Sequence, residues 1–403
     1  MGSNKQRTIL YPQLTPLWIA VFIDVLGFNI IIPFLPYFLL LYHTTPFVIG
    51  LLLAMNAIFT IFCGPIWGKS SDKYGRKPMF VICHCGTLVG FFILAFSNSI
   101  EMLFLSRIVD GIFGGIYPIS KSVISDAVPP KDRGLQMTNI GVIQILAQLV
   151  GPGIGGLLSG FGIIGPGLMA VSTTLTSLIA AILFLKETLP KSIRIQKDVM
   201  EKIKFKLTKN KDAQYLLTLW AFHTTSFTIY ITVLATFLGL VLGLDPIGIG
   251  ILMTVSGLFR AAVRFTIFKP TIKKLGEDNT IKLGLGIMAA SLFFVGFVRD
   301  LVGFIIILIF ISFAASCIRG PLISKITQTV KPKEYGEING FISSLDAFAN
   351  IIGPLLWGLI LGIFEPYWLG VCMSAIALVA LAMIFKEITP ITTKEQYLTI
   401  ENG

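Results

Sequence analysis

The sequence is expected to fold as an all-α membrane protein, with twelve transmembrane helices in two pseudo-symmetric six-helix bundles. Three observations predict this. The 403 residues are 54% apolar and only 13% charged, with mean hydropathy +0.83, far from soluble averages. Apolar runs of about 20 residues, the length that crosses a bilayer, recur from end to end. One stretch also occurs twice. Pro130-Lys131-Asp132-Arg133-Gly134 leads to Gly151-Pro152, Gly156-Leu157 and Gly160, while Pro332-Lys333-Glu334-Tyr335-Gly336 leads to Gly353-Pro354, Gly358-Leu359 and Gly362. Each pair is 202 positions apart (130 to 332, 151 to 353, 160 to 362). A repeat of half the chain implies two homologous bundles rather than a small-repeat solenoid.

The spans are read in order as 14–41, 47–68, 78–97, 101–123, 135–158, 163–185, 213–242, 247–268, 280–298, 301–323, 337–362 and 366–385. The first holds Pro33 and Pro36 and is expected to kink near its far end. It is too long for a cleavable signal peptide and lacks a small-residue cleavage site. Residues 1–185 form the first bundle, 186–212 a basic linker, 213–386 the second bundle and 387–403 a polar tail. Within the linker, Met200-Glu201-Lys202-Ile203-Lys204-Phe205 reads either as a short amphipathic helix on the membrane surface or as solvated basic chain.

Charge placement sets the expected orientation. Arg107, Arg260, Arg264 and Arg319 fall inside spans and Arg299 in a far-side loop. The other lysines and arginines are assigned to the tails, the linker and the loops on the terminal side. That bias puts both termini in the cytoplasm of a plasma-membrane protein. The net charge of +11 then faces anionic lipid headgroups, and nucleic acid is not expected as a partner. Cys63, Cys83, Cys85, Cys317 and Cys372 all fall in spans and read as structural thiols. Cys83-His84-Cys85 lacks zinc-ligand spacing, so no metal is expected. His223, near the start of span 7, is expected to make an interhelical hydrogen bond.

Between spans 2 and 3, Gly68-Lys69-Ser70-Ser71-Asp72-Lys73-Tyr74-Gly75-Arg76-Lys77 fits Gly-x3-Asp-Arg/Lys-x-Gly-Arg-Arg/Lys. This resembles the cytoplasmic loop signature of the major facilitator superfamily. A conformational latch is expected here. Gly68 would allow close helix contact and Gly75 a tight turn. Asp72 would pair with Arg76 or accept from a helix N-terminus, and Asp126 would join them. Asp24-Val25-Leu26-Gly27 with Pro33 and Pro36 resembles the first span of drug:proton antiporters. Arg107-Ile108-Val109-Asp110-Gly111 resembles the fourth-span Arg-x-x-Gln-Gly pattern, with Asp110 in place of Gln. Ala147-x3-Gly151-Pro152-x2-Gly155-Gly156 resembles the fifth-span antiporter signature, with Ala147 for its first Gly. The resemblance runs the length of the chain and most suggests twelve-span drug:proton antiporters, the group that includes tetracycline exporters.

Small residues at Gly151, Pro152, Gly155 and Gly156 would let span 5 pack and bend against a helix of the other half. The second copy has Leu356-Trp357 where the first has Ile154-Gly155, so looser packing is expected there. Charges within spans are costly in lipid and should face partners or a wet cavity. Arg107 and Asp110 are three apart and can pair. Asn339, Ser343, Asp346 and Asn350 make one polar stripe on span 11, and the repeat maps Gln144 onto Asp346 and Gln148 onto Asn350. Arg260 and Arg264 lie one turn apart on span 8, with Asp346 or an anionic substrate expected between them.

The implied function is secondary transport by rocking of the halves about a midplane site, with proton-coupled export of a small amphipathic compound as the leading reading. Asp24 is the expected proton carrier, gated by Arg107, with Asp110 alongside. Asn56, Gln144, Gln148, Arg260, Arg319, Asp346 and Asn350 are the expected cavity residues. An organic-anion or nutrient carrier, including a symporter, stays open, as does a non-transporting receptor or scaffold. The family fold implies that spans 1, 4, 7 and 10 line the cavity. Expected partners are substrate, protons and lipid, with the chain monomeric. No nucleotide loop or nucleophile–base pair points to enzymatic chemistry or a cofactor.

Overall fold

A computed structural model describes residues 11–40, 42–189, 210–330 and 335–386. The basic linker's proposed surface helix and the polar tail lie outside these residues. Among the described residues, twelve helices are long and apolar enough to cross a membrane. They are α1 (Pro12–Leu39), α2 (Pro46–Tyr74), α3 (Arg76–Ala95), α4 (Ile100–Ala127), α5 (Asn139–Phe161), α6 (Ile164–Phe184), α7 (Lys211–Leu240), α8 (Pro246–Val263), α9 (Pro270–Val295), α10 (Leu301–Thr327), α11 (Glu337–Ile363) and α12 (Pro366–Met383). Together they make the all-α, twelve-span fold.

Local chemistry starts these helices. Pro46, Pro246 and Pro366 occupy the first turns of α2, α8 and α12, where the missing N–H costs nothing. Ser99, Asn210, Asp245 and Asp300 accept from the backbone N–H three residues on, capping α4, α7, α8 and α10. At Ile32–Phe34 α1 tightens into a 3-10 turn before resuming, which is where the proline pair was expected to act.

Two spans differ from their expected shape. α2 does not end at Gly68 but stays helical to Tyr74, so most of the loop signature is helix. α4 is broken: its helix stops at Ile112 and restarts at Ile116. The indole N–H of Trp67 caps the orphaned Ile112 carbonyl at 2.6 Å, and the Trp67 ring stacks on Phe113 at 5.5 Å. A backbone break inside a membrane span is tolerated where neighbouring protein satisfies it in this way.

The two copies of the Gly-Pro motif hold the bundles together on the side away from the termini. Gly156 of α5 lies against Pro246 and Gly250 of α8, and Gly358 of α11 lies against Pro46, Phe47 and Gly50 of α2. The second copy therefore packs as closely as the first, contrary to the looser contact expected of it. Leu356 and Trp357 turn away from this seam, with the Trp357 ring fully buried, so their bulk does not separate the backbones. Within each bundle the motif also docks a first helix: Gly151 on Asn29 of α1, Gly353 on Thr228 of α7. On the terminal side the picture reverses. A β-carbon on Gly68, Gly141 or Gly340 would meet nothing within 4 Å. The close contact expected of Gly68 is thus absent.

Candidate functional site

At the terminal end of the first bundle, Gly75 takes φ 109° and reverses the chain between α2 and α3, a geometry that favours glycine. The next residue, Arg76, is 2% exposed and forms ion pairs with Asp72 at 2.6 Å and Asp126 at 2.7 Å. The N-terminus of α3 is capped by Glu187, which follows α6 and accepts from the Arg76 and Lys77 backbone N–H groups at 2.9 and 3.3 Å. Asp72 was a candidate for that cap; Glu187 fills it, and no local pattern marks a partner more than a hundred residues away. These contacts tie the terminal ends of α2, α3 and α4 to the chain just after α6.

The second bundle carries a matching turn at Gly276, φ 76°. Its charges differ in arrangement: Asp278 pairs with Lys325 at 2.6 Å, and Glu277 accepts from Ser324 at 3.2 Å. This second device escapes sequence reading because Glu-Asp follows the glycine where Arg-Lys does in the first half.

Deeper in the first bundle sits a polar cluster. Gly111 brings the α4 backbone against Asn56 of α2, and the Asn56 amide donates to Asp110 at 2.7 Å. Arg107 pairs with the same carboxylate at 3.3 Å and lies over the Phe91 ring at 5.4 Å. This is the pair that their spacing predicts, and Arg107 makes no ion pair or hydrogen bond with Asp24, the residue it was also expected to gate, among the described residues. One buried nitrogen of Arg107 and one buried oxygen of Asp24 are left without hydrogen-bond partners.

Asp24 instead faces His84 of α3, with 3.9 Å between Oδ1 and Nε2. His84 Nδ1 is 3.1 Å from the Phe80 carbonyl, and Nε2 is 2.8 Å from the Ser177 hydroxyl, itself 2.8 Å from the Ala20 carbonyl. Both carbonyls only accept. Three hydrogen bonds need three hydrogens, but a neutral imidazole and one hydroxyl hold two. A neutral His84 therefore fills two of these three contacts at a time, beside Asp24. Sequence reading passed over His84 because its flanking cysteines drew attention to metal spacing rather than to the helix face.

In the second bundle, Asp346 of α11 pairs with Arg319 of α10 at 3.0 Å and accepts from the Trp220 indole at 3.0 Å and Thr224 at 2.8 Å. Of the two alternatives for what lies between Arg260 and Arg264, Asp346 is the first, and its ion pair is with Arg319 rather than Arg260. The Arg264 side chain lies outside the described residues. Arg260 lines a crevice with residues of α7 and α10, and makes no hydrogen bond or ion pair among the described residues. His223 packs between the Trp220 and Phe227 rings, at 6.0 and 6.2 Å, without the interhelical hydrogen bond expected of it. Gln144 is half-buried, while Gln148 and Asn350 are exposed. Lys121, grouped by sequence with the terminal-side cations, lies in the second half of α4. It crosses to the other bundle, with Nζ 3.1 Å from Ser343 Oγ.

The family model described as Major Facilitator Superfamily matches residues 17–222 and 216–397. Multidrug resistance protein 2 of Bacillus subtilis is 28% identical over 396 residues, 95% of this chain and 96% of that protein. The class H tetracycline resistance protein of Pasteurella multocida is 26% identical over 358 residues, covering 86% of this chain and 88% of its own. Among solved structures, the human organic anion transporter MFSD10 (TETRAN) superposes with TM-score 0.69 at 21% identity, covering 92% of this chain and 98% of that one. A bacterial homolog of the human lysosomal transporter Spinster, inward-facing and unoccupied, gives TM-score 0.71 at 16% identity, covering 95% and 97%. At such identities these structures establish the shared fold.

Proposed function

We propose that this chain, which belongs to the Major Facilitator Superfamily, exports a small amphipathic compound in exchange for protons by alternating access. The observation that carries the proton half of this reading is the Asp24–His84 pair. Asp24 is enclosed but its side chain remains 17% exposed, so a proton can reach it. One of its oxygens and one Arg107 nitrogen lack partners. In this reading Arg107 exchanges Asp110 for Asp24 as α4 moves against α1 during the cycle, which would couple protonation to that movement.

The bundles, residues 1–185 and 213–386, are the rocking units, closed at the two glycine seams. With the termini in the cytoplasm, a state closed on that side is the one that loads substrate from inside. The multidrug and tetracycline resistance proteins among its relatives favour efflux over uptake. The deciding experiment is transport in proteoliposomes under an imposed pH gradient, with tetracycline and tetraphenylphosphonium as probes. Gradient-driven accumulation that the Asp24→Asn variant loses supports the reading. Proton-independent flux leaves a facilitator, and complete absence of flux favours a receptor or scaffold.

A further inference from the structure

We infer that the crevice around Arg260 is an anion subsite, which holds the oxyanion head of an amphipathic substrate. This rests on the carrier reading above and gives it a substrate class.

Of the acids deep in the spans, Asp110 and Asp346 are engaged, and Asp24 Oδ1 has no hydrogen-bond partner among the described residues. Asp110 holds Arg107 and Asn56, Asp346 holds Arg319, Trp220 and Thr224, and Asp24 faces His84. Arg260 is left over. A guanidinium stays charged at any physiological pH and carries five donors in a planar fork that fits a carboxylate or phosphate. It is half-buried, and with no acceptor in reach among the described residues its partial desolvation goes uncompensated. A structural arginine in a span would be expected to take a carboxylate or carbonyl partner, as Arg107 and Arg319 do.

The surroundings suit an anion with an apolar body. Phe227 and Tyr230 of α7, Ser256 of α8, and Ile311 and Ser312 of α10 line the crevice. The Ser256 hydroxyl is spent on the Met253 carbonyl at 2.7 Å. The hydroxyls of Tyr230 and Ser312 make no hydrogen bond among the described residues, so both can donate to the same ligand. The Phe227 and Tyr230 rings, 6.2 Å apart, make an apolar wall, with Tyr230 buried, so the narrow crevice takes the head group and the apolar body lies outside it. One unpaired cation with two neutral donors favours a single negative charge. A lipophilic cation would meet Arg260 as a like charge.

The test separates binding from transport. Full-length protein in nanodiscs is titrated with 4-phenylbutyrate, its primary amide and tetraphenylphosphonium. The parent should bind the carboxylate about tenfold or more tighter than the amide, the strength of a charge-assisted hydrogen bond. Arg260→Gln should erase that preference without weakening tetraphenylphosphonium, and Arg260→Lys should keep part of it. A parent that does not prefer the carboxylate, or an Arg260→Gln variant that keeps the preference, overturns the subsite. If Arg260→Gln does not fold, the Arg260→Lys and Ser312→Ala variants carry the same comparison, and an undiminished preference in both overturns it. An anionic lipid phosphate shares this chemistry. Discs of phosphatidylcholine with and without phosphatidylglycerol distinguish the sources, because a resident lipid anion would compete with the probe. Finally, if the preference holds while proteoliposomes transport none of the probes, the carrier reading falls and the subsite stands.

Discussion

The Pro354 carbonyl of α11 sits so close to Gly50 of α2 that a β-carbon at residue 50 has no room. Gly250 of α8 meets the Pro152 carbonyl in the same manner, 2.6 Å from where its β-carbon would stand. These two seams close the cavity on the side away from the termini. Gly50→Ala should therefore loosen that side by about 1–3 kcal/mol, the usual cost of overpacking. A cysteine introduced at Phe47 in a cysteine-free background should then react faster with an impermeant thiol reagent. Gly68→Ala, which fills open space, should leave that rate unchanged; equal effects would refute the seam.

Asp24 and His84 should act as one proton site. Asp24→Asn is expected to abolish gradient-driven accumulation while leaving exchange of substrate measurable. His84→Gln should keep a ring-sized polar group but remove the titratable proton, and so shift the pH dependence of transport rather than substrate binding. An unshifted pH profile would confine His84 to packing.

Asp72 and Asp126 share Arg76 but are not equivalent. The Asp126 side chain is 12% exposed and the Asp72 side chain 48%. Removing the more buried partner costs more, about 3 kcal/mol for a buried pair against about 1 kcal/mol at the surface. Asp126→Asn should lower the thermal midpoint of the purified protein more than Asp72→Asn. Asp72→Asn should instead shift distances between the terminal-side ends of α2 and α11, measured by paired spin labels. The opposite ranking would remove the latch reading of Asp72.

Lys121 links the two bundles on the terminal side. Lys121→Met removes its bond to Ser343, worth about 1 kcal/mol for a partly exposed charged donor. Spin labels on the terminal-side ends of α4 and α11 should then report a wider separation, with about a fivefold change in the populations. An unchanged distribution would show that the contact carries no weight.

The twelve spans were legible because hydropathy at bilayer length is a strong local signal, and the half-chain repeat was visible because glycine and proline carry the helix contacts. Arg107 with Asp110, and Gly75 as a turn, followed from short spacing alone. What was not legible depends on partners distant in sequence. Glu187 reaches Arg76, Asp346 chooses Arg319 over Arg260, and Lys121 finds Ser343 only after the bundles dock. The second seam was misjudged because bulky Leu356 and Trp357 were taken to face the contact, and helix phase decides that rather than composition.

The interrupted α4 separates two jobs that a continuous rod would force together. Trp67 of α2, not the helix's own ladder, holds the Ile112 carbonyl. The half bearing Arg107 and Asp110 is thus anchored to its own bundle, while the half bearing Lys121 reaches across to the other. The break packs tightly, with Gly114 against Thr60 and Gly115 against Cys83 and Trp67, so a shift of the Lys121 half is passed to the Arg107–Asp110 half through α2 and α3 as well as along the chain.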